Sequence, residues 1–378
     1  MNIRKKVGII TMHRVQNVGS VLQAYALCEK IERLGADAEI IDYQYPNEYH
    51  ARVRERLSTI AAIAFFFQRV KFFVLYRNSL QKNRFADFVK SKLRLSRYYS
   101  CREELYNAPP IYNLYMTGSD QVWNPDCMKD DGVFFLDFVN DVPKVSYASS
   151  FSTLVIPDSY KKTYKKNLRQ YRYIGVREEM AKQLVNTLAS MESVTVCDPT
   201  LLLKREDYLS LASESKVKKP KKPYVLVYAL SYAFNPYPQI EIVTKRIKEE
   251  LQLEVVYLHA NSVDHYHACR SITSAGPNEF LDLFLNASFV VTSSFHGTAF
   301  AINFEIPFIS IIPSNNKNDS RIWSLLHILD LTDQSISVKQ SLPSQLPLCL
   351  DFSRVRPRLE KYRKESEAFL KSVLSIIK

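Results

Sequence analysis

At 378 residues, with 46% hydrophobic and 24% charged side chains, the chain has ample material for a core and is long for one, so two domains are expected. Only 8 glycines and an even spread of aromatics exclude a collagenous or low-complexity polymer. Lysine and arginine outnumber aspartate and glutamate 51 to 39, and the net charge of +12 points to an anionic partner: a phosphorylated metabolite, a nucleic acid or an anionic membrane face.

Arg4-Lys5-Lys6 precedes an apolar run, Val7 to Met12, too short for the core of a signal peptide. Val7 to Thr11 reads as the first buried strand, His13 to Gly19 as a loop, and Ser20 as an N-cap. Ala24, Leu27, Ile31 and Leu34 recur at helical spacing, Gly35 sits where a helix stops, and Ala38 to Tyr43 is a second strand. This βαβ unit opens a doubly wound parallel sheet. Its first turn has Gly19 alone and lacks G-x-G-x-x-G, so a dinucleotide site is poorly supported.

Residues 51–92 interleave basic and aromatic side chains, among them Arg69, Lys71, Phe72 and Phe73. Two readings stay open: a basic helix lying on a membrane surface, or a helical excursion packed on its own domain. The longest apolar run, Ile60 to Phe67, falls far short of a membrane span. Cys28, Cys101, Cys127, Cys197, Cys269 and Cys349 show no C-x-x-C spacing, which suggests reduced, buried thiols and a cytoplasmic location.

Tyr112 to Thr117 is a strand, and the loop after it faces the ligand crevice of a parallel sheet. That makes Ser119 and Asp120 candidate substrate contacts, with Asp120 equally able to cap the next turn. Trp123 suits either a sugar platform or the core. Another strand and loop follow at Val145 to Phe151. Tyr173 to Val176 leads to Arg177, whose planar fork suits a carboxylate or phosphate, or a salt bridge to Glu178 or Glu179. Val194 to Thr200 closes the first half.

Ser213 to Pro223, rich in lysine and proline, reads as a linker. It has no aromatic platform and no arginine, so nucleic acid is not an expected partner. Strand Tyr224 to Ala229, a helix over Ile240 to Leu251 and strand Val255 to Leu258 restart the pattern. His259, His265 and His267 lack helical His-x-x-x-His spacing, with Asp264 the only nearby carboxylate, so no metal site is expected. Pro277 to Leu285 is a short helix. Asn315 to Ser320 is a polar loop before Arg321, which reaches an anion in a cleft or begins a surface helix. Pro357 to Lys378 is a basic amphipathic helix docking back across a domain. The expected boundaries are 1–212, a linker at 213–223, 224–350, and a C-terminal helix at 351–378.

The chain is organised around Ser288 to Ile312. Phe289 to Thr292 is a buried strand, Ser293 and Ser294 supply capping hydroxyls, a helix runs to about Phe304, and Phe308 to Ile312 is a second strand. His296 then lies at a helix N-terminus, where unpaired N–H groups favour an anion and an imidazole can move a proton. A capping or packing histidine is the plainer alternative.

Ser293-Ser294-Phe295-His296-Gly297 with Pro307-Phe308 resembles the signature of the polysaccharide pyruvyl transferase family. The same family's pattern is met in order at Gln16 to Tyr25, Gly118 to Asn124, Val176-Arg177-Glu178, Asp198 to Leu202 and Gly276 to Phe280, over about residues 5 to 330. The resemblance implies an α/β chain of two Rossmann-like domains in a GT-B-like arrangement, with the active cleft between them. It also implies that the pyruvyl group of phosphoenolpyruvate passes to two hydroxyls of a sugar in bacterial surface polysaccharide synthesis. Phosphoenolpyruvate is then a co-substrate, and neither cofactor nor metal is called for. The partner is a glycan acceptor; if a membrane lipid carries it, residues 51–92 would meet the inner face of the membrane.

Within that frame His296 and Asp120 are the catalytic candidates. Arg177, Ser293, Ser294, Gly297, Thr298 and Arg321 would hold the donor; Asn17, Gly19, Ser119 and Trp123 would line the acceptor cleft. Many relatives place an arginine two residues before this histidine, where this chain has Ser294, so the grip on the donor falls to other cations. Two rivals remain: a GT-B glycosyltransferase using a nucleotide-sugar, and a non-catalytic membrane-surface or scaffold protein acting through residues 51–92. The enzymatic reading requires the His296 ring to face a positively charged site between the lobes.

Overall fold

The computed structural model of the protein describes residues 5–45, 80–129, 131–231, 233–258, 270–313 and 321–377. Two parallel sheets organise it. The first holds β1 (Lys6–Ile10), β2 (Asp37–Tyr43), β3 (Leu95–Tyr99), β4 (Leu114–Thr117), β5 (Lys144–Ser149), β6 (Tyr173–Val176) and β7 (Val194–Thr195), in the order β3-β2-β1-β4-β5-β6-β7. The second holds β8 (Tyr224–Tyr228), β9 (Glu254–Leu258), β10 (Arg270–Ile272), β11 (Phe289–Thr292), β12 (Phe308–Ile312) and β13 (Ser335–Ser337), in the order β10-β9-β8-β11-β12-β13. Each sheet grows outward from its first strand one way and then the other. The switch points, between β1 and β4 and between β8 and β11, are where doubly wound sheets open a crevice for ligands.

Central strands are short apolar runs because helices cover both faces. FVVT of β11 and FISII of β12 are buried at every position. The helices that matter for the site are α1 (Val18–Arg33), α2 (Leu80–Lys92), α3 (Pro199–Leu202), α4 (Pro277–Leu285), α5 (Phe295–Asn303), α6 (Arg321–Ile328) and α7 (Phe352–Ser375). One hydrophobic cluster runs through both lobes, joining Leu22 and Leu27 of α1, Leu201 of α3, Phe280 and Phe284 of α4, and Phe300 of α5. The lobes therefore meet across packed apolar helices. At this boundary α7 returns to the first lobe: Arg363 Nε donates to Leu201 O (2.6 Å) and Nη2 to Asn303 Oδ1 (2.7 Å), while Ser366 Oγ accepts from Cys197 N (2.8 Å).

Several expectations shift. The first helix starts at Val18, because Asn17 Oδ1 accepts from Gly19 N (2.9 Å) and Ser20 N (3.4 Å); Asn17 is the cap, and Ser20 is free to reach elsewhere. The last helix starts at Phe352, with Asp351 accepting from Ser353 N (3.0 Å), so Pro357 lies inside it. Strand β3 had no alternating pattern to announce it; among the described residues it pairs with β2 alone and sits at the sheet edge. Of the basic-aromatic stretch, residues 51–79 lie outside the described residues, as do His259, His265, His267 and Asn315 to Ser320. The described end, α2, packs inward. Phe85 and Phe88 are buried, and Arg84 pairs with Glu279 of α4 at 3.2 Å. Among the described residues five cysteines are free; Cys28 and Cys197 are buried, whereas Cys349 is exposed, contrary to expectation. No described helix is long and apolar enough to cross a membrane.

Candidate active site

The two switch points meet at the lobe boundary. In the second lobe, Ser293 Oγ donates to Leu230 O (3.0 Å) and accepts from Leu230 N (2.8 Å), which ties the end of β11 to the end of β8. Ser294 caps α5 by accepting from Gly297 N (3.3 Å). Gly297 must be glycine, since a Cβ there would stand 2.3 Å from Thr292 Oγ1. Thr298 Oγ1 donates to Ser294 O (3.1 Å) and bonds Ser310 Oγ (2.7 Å). Of the donor-binding candidates, Ser293 and Thr298 therefore have their hydroxyls engaged in building the turn. The remaining first-turn N–H groups of α5 have no intrahelical partner, as at any helix start.

His296 projects from that turn onto the first lobe. A Cβ on Gly19 would lie 2.0 Å from His296 Nδ1, so the imidazole edge rests where α1 has no side chain. Its Nε2 lies 3.6 Å from Asp198 Oδ2, an ion-pair distance too long for a hydrogen bond, and makes no hydrogen bond. The ring is 6% exposed. It is buried, yet within a polar nest and not in the apolar interior.

The first lobe supplies that nest. Arg177 leaves the end of β6 and donates Nη1 to Asp198 Oδ2 (2.9 Å). Its Nη2 lies 3.7 Å from Asp120 Oδ1, and its Nε 3.8 Å from Glu178 Oε2. The guanidinium also sits 4.4 Å over the Phe295 ring, a cation–π contact with the first residue of α5. Asp120 takes φ 79°, and its carboxylate accepts from Ser20 Oγ and Gln121 N. Ser119 Oγ donates to Asp198 Oδ2 (3.0 Å), while Thr200 N (3.0 Å) and Oγ1 (2.8 Å) donate to Oδ1. Ser150 Oγ donates to Glu178 Oε1 (2.6 Å).

Three carboxylates thus surround one guanidinium and one imidazole. Burial alone would push the Asp198 carboxyl up; the positive charges of His296 and Arg177 outweigh it and hold the group well below the usual carboxylate range. At Asp120 burial is likewise outweighed, by Arg177, His296, the Ser20 hydroxyl and Arg321. Burial opposes the charge on Arg177, but Asp198, Asp120 and Glu178 raise it.

The structure brings His296, Asp120, Arg177, Ser119, Asn17 and Gly19 together. Arg321, the first residue of α6, stands with Nη1 and Nη2 3.2 Å from the side-chain amide of Gln121, next to Asp120. Trp123 is a correction. It is wholly buried, stacked on Phe135 (centroids 5.5 Å apart) with Nε1 donating to Phe134 O (3.1 Å), and is core instead of a cleft platform. Arg177 bonds Asp198 through Nη1 and has Asp120 and Glu178 at ion-pair distance, the salt-bridge alternative, with Nε and Nη2 making no hydrogen bond; with three acids there, the ring does not face the positively charged site expected. Sequence reasoning met Asp198, Glu178 and Ser20 as motif, salt-bridge and cap residues but gave none of them a place in the site. The signal for Asp198 was local: Asp-Pro-Thr is a helix-start pattern, and this aspartate caps α3. A cavity of about 760 Å³ lies elsewhere, along the outer edge of the second sheet near Trp323 and Ile336, and none of these groups lines it.

Fold comparison defines the class first. The chain resembles a structure from Listeria monocytogenes described as a UDP-N-acetylglucosamine 2-epimerase (TM-score 0.52, 9% identity, 98% of this chain and 91% of that one). It also resembles the glycotransferase of kitacinnamycin (TM-score 0.51, 11% identity, 99% and 98%) and the UDP-N-acetylglucosamine 2-epimerase from Rickettsia bellii (TM-score 0.51, 9% identity, 100% and 97%). At such identities these likenesses show the fold alone: two Rossmann-like lobes in a GT-B-like arrangement. No curated protein sequence matched. The polysaccharide pyruvyl transferase model matches residues 17–315, and the chain belongs to that family.

Proposed function

We propose that the protein transfers the pyruvyl group of phosphoenolpyruvate to two hydroxyls of a sugar in a bacterial surface glycan, forming a pyruvate ketal. One observation carries the reading. Family motifs as distant in sequence as Gly19, Ser119–Asp120, Arg177–Glu178, Asp198 and Ser294–Thr298 meet in one polar nest, where the His296 ring rests on Gly19 and faces Asp198. Such convergence from both lobes is what a shared catalytic step requires and a packing histidine does not.

In this reading His296 protonates the methylene carbon of the donor, leaving a cation at the carbon that bears phosphate. One sugar hydroxyl attacks that carbon, the C–O bond to phosphate breaks, and the second hydroxyl closes the ring. Two hydroxyl protons are released: one restores the imidazolium, so that the methyl group's new hydrogen is replaced, and the other leaves on phosphate. The donor's phosphate and carboxylate are assigned to the open N–H groups of α5 and to Arg321, since Arg177 is already flanked by carboxylates. With His296, Asp120, Arg177 and Asp198 each no more than 6% exposed, donor entry requires the lobe boundary to open.

The test is incubation with phosphoenolpyruvate and a panel of galactose-, mannose- and hexosamine-containing acceptors. Expected are the mass gain of one ketal and an equal release of phosphate. Silence across the panel, with turnover of nucleotide-sugars in its place, overturns the reading.

A further inference from the structure

We propose that Asp198 is a positioning residue for the transfer. It faces the His296 ring as a fixed carboxylate and sets the orientation in which the ring meets the donor. The idea deepens the reading above and rests on it for the reaction, though not for the pairing itself.

Asp198 is built as a fixed anion. Its side chain is fully buried, both oxygens are held by donors from Thr200, Ser119 and Arg177, and it caps α3. It cannot swing to follow the ring. The ring is fixed in turn, with its Nδ1 edge on Gly19 and Nε2 toward Asp198 Oδ2 at 3.6 Å. A carboxylate held rigidly at that distance attracts the N–H edge of the ring and fixes which way it faces. Elsewhere in the molecule His13 shows the contrasting arrangement: Nε2 bonds Asp42 Oδ1 at 2.8 Å and Nδ1 bonds Thr11 O at 3.1 Å, so neither nitrogen is spare. His296 differs in that its second nitrogen rests on Gly19, with Asp198 as its charged neighbour. A general acid must be oriented by a third group and still be able to give up its proton. The other charges facing the pair are Arg177, Asp120, Glu178 and Arg321, and the first three are themselves buried.

Asp198→Asn keeps the size and, with its amide oxygen in the Oδ1 position, the bonds from Thr200, while it removes the charge and puts an NH2 group where Oδ2 accepts from Ser119 and Arg177. Expected is a fall in kcat of about 10²-fold or more, with the KM for phosphoenolpyruvate within about 3-fold of wild type. The ring ¹⁵N signals of His296, assigned by their loss in His296→Ala, should also shift between wild type and Asp198→Asn at neutral pH. A merely structural Asp198 would lower the melting temperature and leave those signals in place. Should Asp198→Asn fail to fold, Thr200→Val removes one bond to Asp198 and keeps its charge, and must move the same signals to a lesser degree. Unmoved ¹⁵N signals in the folded variant, or a kcat within about 3-fold of wild type, overturn the proposal. The spectra need no substrate: a wild-type protein inert toward phosphoenolpyruvate refutes the reaction and leaves the pairing to be judged on its own signals.

Discussion

Two buried histidines, each beside an aspartate, sit at the switch points of this molecule and differ in one respect. His13 follows β1 and spends both ring nitrogens on hydrogen bonds, to Asp42 and to Thr11 O; Asp42 is also gripped by Arg14 Nη2 at 2.6 Å. His296 follows β11, rests on a glycine of the opposite lobe and has Nε2 unbonded. A fully satisfied polar network stabilises a fold, whereas an unsatisfied buried donor costs about 1–3 kcal/mol and persists where something other than stability retains it. On the proposed function His13 is architecture and His296 does the chemistry, and the unbonded nitrogens of Arg177 lie in the same nest. Burial does not separate them, since His13 is 1% and His296 6% exposed.

The sharpest way to break the comparison is His296→Ala. Pyruvyl transfer should fall by about 10²–10⁴-fold in an otherwise folded protein, because a positioned acid contributes that much. A folded variant that still forms ketal at the wild-type rate would make the two histidines equivalent. Arg177→Ala comes next and acts differently from a simple loss of donor grip. Removing the guanidinium leaves Asp120, Glu178 and Asp198 buried without their common counter-charge, which should cost about 3–5 kcal/mol of stability in urea unfolding. If instead stability is retained and only the KM for phosphoenolpyruvate rises, Arg177 holds the donor directly.

How much of this was legible in the residues depends on distance along the chain. Strand–turn–helix units with strong local pattern were readable: β1, β2, β11, β12 and the start of α5 fall where apolar runs, cap hydroxyls and glycine put them. So was the approach of His296 to its neighbours, once family motifs supplied the grouping. Trp123 was not decidable, because an indole serves a core and a sugar platform equally, and only its stacking on Phe135 settles the matter. Gly19 is expected in a loop lining the acceptor cleft, yet it lies in the first turn of α1, and its lack of a side chain answers to a ring more than 270 residues away. Contacts between lobes leave no local period to detect. The same holds for Asp198, whose cap pattern was visible while its link to His296 was not.

Gly19→Ala uses that long-range contact to sharpen the comparison. The added methyl would overlap the imidazole, so the ring must turn or the lobes must part by an ångström or more. Alanine is itself a better helix former than glycine by about 1 kcal/mol, so helix α1 gains locally while the site loses. A displacement of that size should lower kcat by about 10²-fold, with far-ultraviolet circular dichroism unchanged. Wild-type kcat in Gly19→Ala would mean that the ring's seat on α1 has no part in the reaction.

The smallest expected effect comes from the other histidine. His13→Ala removes both of its hydrogen bonds and leaves Asp42 with Arg14 alone, so stability should drop by about 1–3 kcal/mol. Burial pushes the Asp42 carboxyl up, but bonds from His13 and Arg14 outweigh it and lower it. A carboxyl depressed in the folded state stabilises above its unfolded value, about 3.9, and that contribution disappears as pH falls through the folded value. Losing His13 weakens the depression, so the gap in stability between wild type and His13→Ala should be widest near neutrality and narrow below about pH 4. Chemical unfolding at pH 7 and pH 3 measures it. A gap that stays constant between the two would show that His13 stabilises by packing alone, and a loss of kcat without loss of stability would put His13 in the site with His296.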